Sequence, residues 1–107
     1  MTTTFAVIYR WRLAPGSEEA FVAAWRLVTD HLRETCGGLG SRLHRCDDGT
    51  WAAYAQWPAR RDWERAEVTG ETALAASATM AQAVVERFEP VLLSPVADML
   101  SPTAVDD

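Results

Sequence analysis

The chain has 107 residues, of which 49% are hydrophobic and 23% are charged, a composition ordinary for one soluble globular domain. Its net charge of -5 argues against nucleic acid as the main partner, because phosphate binding requires a basic surface. All ten cations are arginine and asparagine is absent, so a Schiff-base lysine and an asparagine oxyanion donor are both excluded. We expect a single domain over residues 1–107, with its core between about residues 4 and 100.

The N-terminal sequence has neither the cationic start nor the long apolar run of a signal peptide. No stretch approaches the ~20 consecutive apolar residues that a membrane span requires. Cys36 and Cys46 flank a predicted strand that would hold them roughly 25 Å apart, which is too far for a disulfide. Two free thiols are typical of a reducing compartment, so we expect a cytoplasmic protein with no membrane partner.

The first strand is predicted over residues 4–12, which are mainly β-branched and aromatic, with Tyr9 and Trp11 on the same face. A helix is predicted from an N-cap at Ser17 to about Thr35. Its apolar stripe at helical spacing consists of Phe21, Trp25, Val28, Leu32 and Thr35. The glycine pair that follows is typical of a helix end.

Two strands joined by a hairpin are predicted next, over residues 39–46 and 51–57. The connection C-D-D-G-T is typical of a three-residue loop that pairs Cys46 with Thr50. That register places four polar or aromatic residues on one face, opposite to the tryptophans at each end of the third strand: Arg42, His44, Tyr54 and Gln56. A two-residue Asp-Gly turn would instead move the first two of them to the tryptophan face. We favour the first register, and with it the polar face as the place of the chemistry.

Pro58 ends the third strand, because proline has no N–H to donate to a sheet. A short helix is predicted over residues 60–67 and a longer one over residues 71–87. The apolar stripe expected on the longer helix consists of Leu74, Ala78, Ala81, Val85 and Phe88. A last strand is predicted within residues 91–100, where a proline indicates an edge position or a bulge.

The element order is therefore β-α-β-β-α-β, which predicts an α+β, ferredoxin-like fold with a four-stranded antiparallel sheet and helices on one face. The other face of the sheet also carries apolar residues and must be covered. Packing against the sheet of a second copy is the simplest solution, so we expect a homodimer.

Four segments carry a family resemblance: F-A-V-I-Y-R-W-R, P-G-S-E-E-A-F, G-G-L-G-S-R-L-H-R and Y-A-Q-W-P-A-R-R-D-W. They resemble the antibiotic biosynthesis monooxygenase family of the dimeric α+β barrel superfamily, over about Phe5 to Leu100. The resemblance implies a cleft between helices and sheet, which holds an aromatic polyketide, a quinol or haem in characterised members. It also implies that polyketide oxidation uses neither metal nor flavin, because the deprotonated substrate itself reacts with oxygen.

The haem-degrading branch of that family resembles this chain at Trp57, but it also uses an asparagine on the first strand and a later histidine ligand. This chain has no asparagine and no histidine after His44, so we do not expect haem degradation. It also has no metal-ligand spacing, no phosphate loop and no dinucleotide fingerprint, so we expect no metal and no other cofactor. Other members carry a glutamate just before the closing tryptophan, where this chain has Gln56. The resemblance therefore does not identify the residue that accepts the proton.

His44 is the candidate general base near neutral pH, and the alternative is a partly buried strand residue. Tyr54 is the candidate phenolic donor, and the alternative is a buried ring with its hydroxyl at the edge. Arg42 would hold either an anionic substrate or a carboxylate at a subunit interface. The substrate-binding candidates are Arg42, Gln56, Trp57, Tyr9, Trp25 and Trp63. Core packing is the alternative for the three tryptophans, and the dimer interface for Tyr9.

Together these features lead to the hypothesis of a small cofactor-independent monooxygenase that oxidises an aromatic or polyketide-like metabolite with O2. One alternative is a polyketide cyclase or isomerase on the same scaffold. The other is a dimer that binds a small ligand without catalysis, because one fold hosts many functions.

Overall fold

The computed structural model describes residues 3–101, which form one antiparallel sheet with helices on one of its faces. The elements in chain order are β1 (Phe5–Leu13), α1 (Glu18–Thr35), β2 (Gly40–Arg45), β3 (Trp51–Trp57), α2 (Arg60–Arg65), α3 (Glu71–Ala83), β4 (Val84–Arg87) and β5 (Val91–Leu93). The strand order is β2-β3-β1-β4, and β5 also pairs with β1. The predicted α+β, ferredoxin-like fold is confirmed. No helix among the described residues is long and apolar enough to cross a membrane.

The β2–β3 hairpin has the register predicted for a three-residue loop. The N–H of Cys46 donates to the Thr50 carbonyl at 2.8 Å, and the N–H of Gly49 donates back to the Cys46 carbonyl at 3.0 Å. Gly49 has φ +88, the left-handed conformation that the glycine bulge of such a loop requires. Arg42 therefore pairs with Tyr54, and their side chains lie on the same face.

The end of α3 differs from the prediction. The helix stops at Ala83, and residues 84–87 instead form β4 along the edge of β1. The carbonyl of Ala83 accepts the N–H of Ala14 at 2.8 Å, so the backbone pairs with the end of β1 where the helix ends. Two β-branched residues follow directly, and such side chains favour a strand.

The predicted apolar stripe on the second long helix is also wrong. Leu74 and Val85 are 54% and 61% exposed, and the buried residues of α3 are Ala73, Ala76 and Ala83. The helix is so rich in alanine that its apolar residues mark no single face. The last strand lies within the predicted range, at Val91–Leu93. The sheet has five strands and not four, because β4 and β5 pair with different stretches of β1.

Two hydrophobic clusters attach the helices to the sheet, one towards each end of β1. The first consists of Trp11, Leu13, Phe21, Ala53 and Ala83. The second consists of Phe5, Val7 and Trp57, with Leu32 of α1 and Trp63 of α2 packed against it. Tyr9 contacts both clusters, which places it between them at the middle of β1. The helices are thus fixed at both ends of the sheet.

Candidate functional site

A cavity of about 330 Å³ lies between the sheet and helices α1 and α3, bordered by the two hydrophobic clusters. We call it the cleft. On the sheet side, Ala53 and Ala55 leave space because their side chains are small, and Tyr9 and Trp57 flank them on β1 and β3. Trp25 lines the cleft from α1. The volume lies within the range of small-molecule pockets, and the aromatic side chains suit a planar apolar ligand.

The cleft has few polar groups. Apart from the Tyr9 hydroxyl and the indole N–H groups of the tryptophans, they are supplied by Thr29, Arg33, Ser41, Gln56, Ser77 and Arg87. No aspartate, glutamate or histidine is found among the described residues that line it. The cleft can therefore donate hydrogen bonds to a ligand oxygen, but these side chains include no group that accepts a proton at neutral pH.

Tyr9 lines the cleft and carries a phenolic hydroxyl that can donate a hydrogen bond. Its hydroxyl oxygen accepts the indole N–H of Trp63 at 2.7 Å, and its ring stacks on Trp11 with the centroids 5.9 Å apart. Burial raises the pKa of Tyr9 above its ordinary value of 10.0, although the bond from Trp63 acts in the opposite direction. The phenol therefore keeps its own proton at neutral pH, and the hydroxyl donates to no acceptor among the described residues.

Solved structures share this arrangement of sheet and helices, whereas no protein-family model and no curated protein matches the chain. A Bordetella bronchiseptica protein assigned to the antibiotic biosynthesis monooxygenases superposes with a TM-score of 0.73 and 14% identity, over 90% of this chain and 100% of that one. A Pseudomonas aeruginosa protein superposes with a TM-score of 0.67 and 25% identity, over 91% of this chain and 98% of that one. Another solved structure, of an antibiotic biosynthesis monooxygenase, superposes with a TM-score of 0.68 and 16% identity, over 87% of this chain and 99% of that one. The chain has the same fold as these proteins.

The resemblance carried by the four sequence segments is thereby confirmed for the fold, which covers most of the described chain. At these sequence identities the likeness does not extend to substrate or activity, because one fold carries many chemistries. The chemistry depends on the side chains that this fold brings together.

The fold divides the predicted site residues between two places. Tyr9, Trp25, Gln56 and Trp57 line the cleft. Trp63 lies behind Tyr9, which it holds by its N–H, and is not among the described residues that line the cleft. The tryptophan face of the sheet is therefore the face that the helices cover.

Three predicted residues lie outside the cleft. Arg42 and Tyr54 line a second, polar depression at the start of β2, and Gln56 borders both cavities. His44 is exposed on the helix-free face of the sheet, and among the described residues it lines neither cavity. The register explains the separation, because residues that alternate along a strand point to opposite faces.

Trp57 is buried, with 3% of its surface exposed, and its indole N–H has no hydrogen-bond partner among the described residues. A side chain at Gly38 would lie 3.4 Å from the Trp57 ring, so the missing side chain allows α1 to end close against it. A buried N–H without a partner costs about 1–3 kcal/mol. A ligand oxygen or water that reached this N–H would remove that cost.

Thr29, Arg33 and Ser77 were missed as lining residues by the sequence reasoning. A signal existed for the first two, because Trp25, Thr29 and Arg33 follow one another at four-residue intervals on one face of α1. For Ser77 we find no such signal in the alanine-rich sequence of α3. Among residues 3–101, no group of three or more histidine, cysteine, aspartate or glutamate side chains could hold a metal ion.

Replacing Tyr9 by phenylalanine is expected to lower the free energy of unfolding by about 1 kcal/mol, because the Trp63 N–H loses its acceptor. The matched control is Tyr54→Phe, since Tyr54 is the only other tyrosine and makes no side-chain hydrogen bond among the described residues. Urea unfolding of the three proteins measures the difference. Equal midpoints for both variants would contradict a structural role of the Tyr9 hydroxyl.

The raised pKa of Tyr9 adds a test at alkaline pH. A group whose pKa is higher in the folded protein stabilises it below the ordinary value, and that contribution is lost as the pH rises through the folded value. Above pH 10.0 the parent protein should therefore lose stability more steeply than Tyr9→Phe.

Proposed function

We propose that the protein is a cofactor-independent monooxygenase that oxidises an aromatic or polyketide-like metabolite held in the cleft. The observation that carries this proposal is the cleft itself, a cavity of about 330 Å³ with aromatic and small aliphatic walls. It is supported by the fold, which is shared with proteins assigned to the antibiotic biosynthesis monooxygenases. The apolar walls would also exclude water from a reactive carbanion.

The proposed reaction converts the CH2 group of a hydroxyanthrone into a carbonyl. One atom of O2 enters the product and the other leaves as water with the two substrate hydrogens, so the four electrons come from the substrate alone. The ionised substrate is the electron donor to oxygen. Tyr9 would donate its proton in a hydrogen bond to the substrate oxygen that carries the negative charge.

The lining of the cleft also bears on how the substrate loses the proton that must leave before it reacts with oxygen. Because no carboxylate or histidine is among its described lining residues, we propose that the substrate enters already ionised. Phenolic anthrones are acidic enough for part of the population to be anionic near neutral pH. Arg33, at the border of the cleft, would favour the anion over the neutral form.

The test is oxygen consumption with 1,8-dihydroxyanthrone as the probe, measured against the same concentration of heat-unfolded protein. We expect one molecule of O2 to be consumed for each anthraquinone formed, at a rate above that of the unfolded control. Conversion of the probe under nitrogen at the same rate would refute oxygenation and favour a cyclase or isomerase.

The absence of a carboxylate or histidine from the described lining also supports a second candidate, a binding protein without catalysis. A comparison of anthrone binding with oxygen consumption distinguishes the two candidates. If the anthrone binds in the cleft while oxygen consumption stays at the rate of the unfolded control, the protein is a carrier or sensor and not a monooxygenase.

We further propose that the protein acts in the cytoplasm as a homodimer in which two helix-free faces pack together. The support is the composition of that face, where Ile8 at the middle of β1 is only half-buried and Val91 of β5 is 51% exposed. Sedimentation velocity should show a dimer, and Ile8→Arg should shift it towards the monomer. A monomeric parent protein would contradict this arrangement.

A further inference from the structure

We propose that the polar depression at the start of β2 binds a carboxylate carried by the aromatic ligand of the cleft. We call this depression the annex; its lining residues are Thr29, Arg33, Leu39, Gly40, Ser41, Arg42, Tyr54 and Gln56. The inference rests on the proposed function, because it requires an aromatic ligand in the cleft. It adds the chemical class of that ligand, an aromatic carboxylic acid.

The annex adjoins the cleft at the outer edge of the sheet, where β2 is the edge strand. It has a volume of about 330 Å³, and five of its residues also line the cleft: Thr29, Arg33, Gly40, Ser41 and Gln56. These shared residues form the border between an apolar cavity and a polar one. A ligand with an apolar ring system and an acidic substituent could therefore occupy both cavities at once.

The charges of the annex favour an anion. Arg33 and Arg42 both line it, and no aspartate or glutamate is among its described lining residues. Arg42 forms no ion pair among the described residues, and Arg33 has only Asp30 at 3.8 Å, an exposed contact of little strength. One arginine without an ion pair and a second with only a weak one, in a chain of net charge -5, favour the binding of an anionic group.

Arg33 and Arg42 line the annex from opposite sides of the edge strand β2, the first from α1 and the second from the helix-free face of the sheet. Gly40 has φ +109 and no side chain, and an added Cβ would lie 3.9 Å from both Cδ and Nε of Arg33. Arg33 thus lies against β2 from α1. On β2, Arg42 pairs with Tyr54, which also lines the annex.

A carboxylate suits this geometry better than a neutral polar group. Guanidinium groups bind both oxygens of a carboxylate in one plane, and such charge-assisted hydrogen bonds are stronger than neutral ones. The hydroxyls of Thr29 and Ser41 and the amide of Gln56 supply further donors at the border. The ligand should therefore present its acid group beside the aromatic ring and not at the end of a long chain.

The test compares two probes of the same shape, anthraquinone-2-carboxylate and its uncharged carboxamide, by quenching of tryptophan fluorescence. The parent protein should bind the carboxylate about tenfold more tightly at low ionic strength, and added salt should reduce the preference. Arg33→Gln and Arg42→Gln should each weaken carboxylate binding about fivefold and leave the carboxamide unchanged. Arg26→Gln is the control, because this exposed arginine lies two turns before Arg33 and lines neither cavity.

The outcomes separate this inference from the proposed function. If the parent protein binds both probes equally, the annex assignment is refuted while an aromatic site in the cleft stands. If neither probe binds, both are refuted. If Arg42→Gln alters the sedimentation of the dimer but not the affinity for the carboxylate, Arg42 serves the subunit interface and the annex assignment is overturned.

Discussion

Replacing Phe21 by alanine is expected to lower the free energy of unfolding by about 3–5 kcal/mol. Phe21 is fully buried on α1, and its ring lies edge-on to Trp11 at 5.2 Å and to Trp51 at 6.4 Å between centroids. It therefore joins the helix to both central strands at one border of the cleft. Removing the ring leaves a cavity that these two large indoles cannot fill without moving.

A loss of that size is a large part of the stability of a small domain, which is typically about 5–15 kcal/mol. Urea unfolding followed by tryptophan fluorescence measures it. Leu27→Ala is the matched control on the same helix, because Leu27 is 48% exposed and should lose less than about 1 kcal/mol. Similar losses in the two variants would mean that α1 is not fixed to the sheet through Phe21.

Replacing Ser77 by tryptophan is expected to abolish ligand binding in the cleft while the domain stays folded. Ser77 is half-buried on α3 and lines the cleft, so an indole at this position would occupy the space of the ligand. A ligand that loses the burial of one aromatic ring loses about 2–3 kcal/mol. That corresponds to a loss of affinity on the order of a hundredfold.

Leu74→Trp is the control for this variant. Leu74 is one turn earlier on the same helix, 54% exposed, and not among the described residues that line the cleft. Binding of anthraquinone-2-carboxylate should be unchanged in Leu74→Trp and lost in Ser77→Trp, with the same helical circular dichroism in both. Unchanged binding in both variants would place the ligand elsewhere.

Local patterns in the sequence were sufficient for much of the fold. The hairpin loop C-D-D-G-T determined the pairing of Arg42 with Tyr54, because the left-handed glycine is tied to one loop length. The spacing of Phe21, Trp25, Val28 and Leu32 predicted which face of α1 meets the sheet, and all four line the cleft. Thr35, the last residue of the predicted stripe, is exposed. Both features depend on residues close together in the chain.

The end of α3 could not be predicted in the same way. Whether residues 84–87 continue a helix or join a sheet depends on the free edge of β1, more than 70 residues earlier in the chain. Alanine is compatible with every face of a helix, so the buried positions of α3 carry no amphipathic signal. Tertiary pairing decided the structure where local preference was weak.

The location of the cleft could not be predicted from the sequence either. The register separated the tryptophan face from the polar face, but only the packing of α1 and α3 shows which face borders a cavity. The hydrogen bond from Trp63 to Tyr9 joins residues 54 positions apart, and no local sequence pattern predicts it. His44 and Tyr54 remain predictions as catalytic residues, and the structure places them away from the cleft.

The most direct test is the rate of oxygen consumption with 1,8-dihydroxyanthrone, compared between the parent protein and Ser77→Trp. We expect the parent to consume one molecule of O2 for each anthraquinone formed, and the variant to fall to the rate of the unfolded control. Equal rates in the two folded proteins would contradict the assignment of this reaction to the cleft between the sheet and its helices.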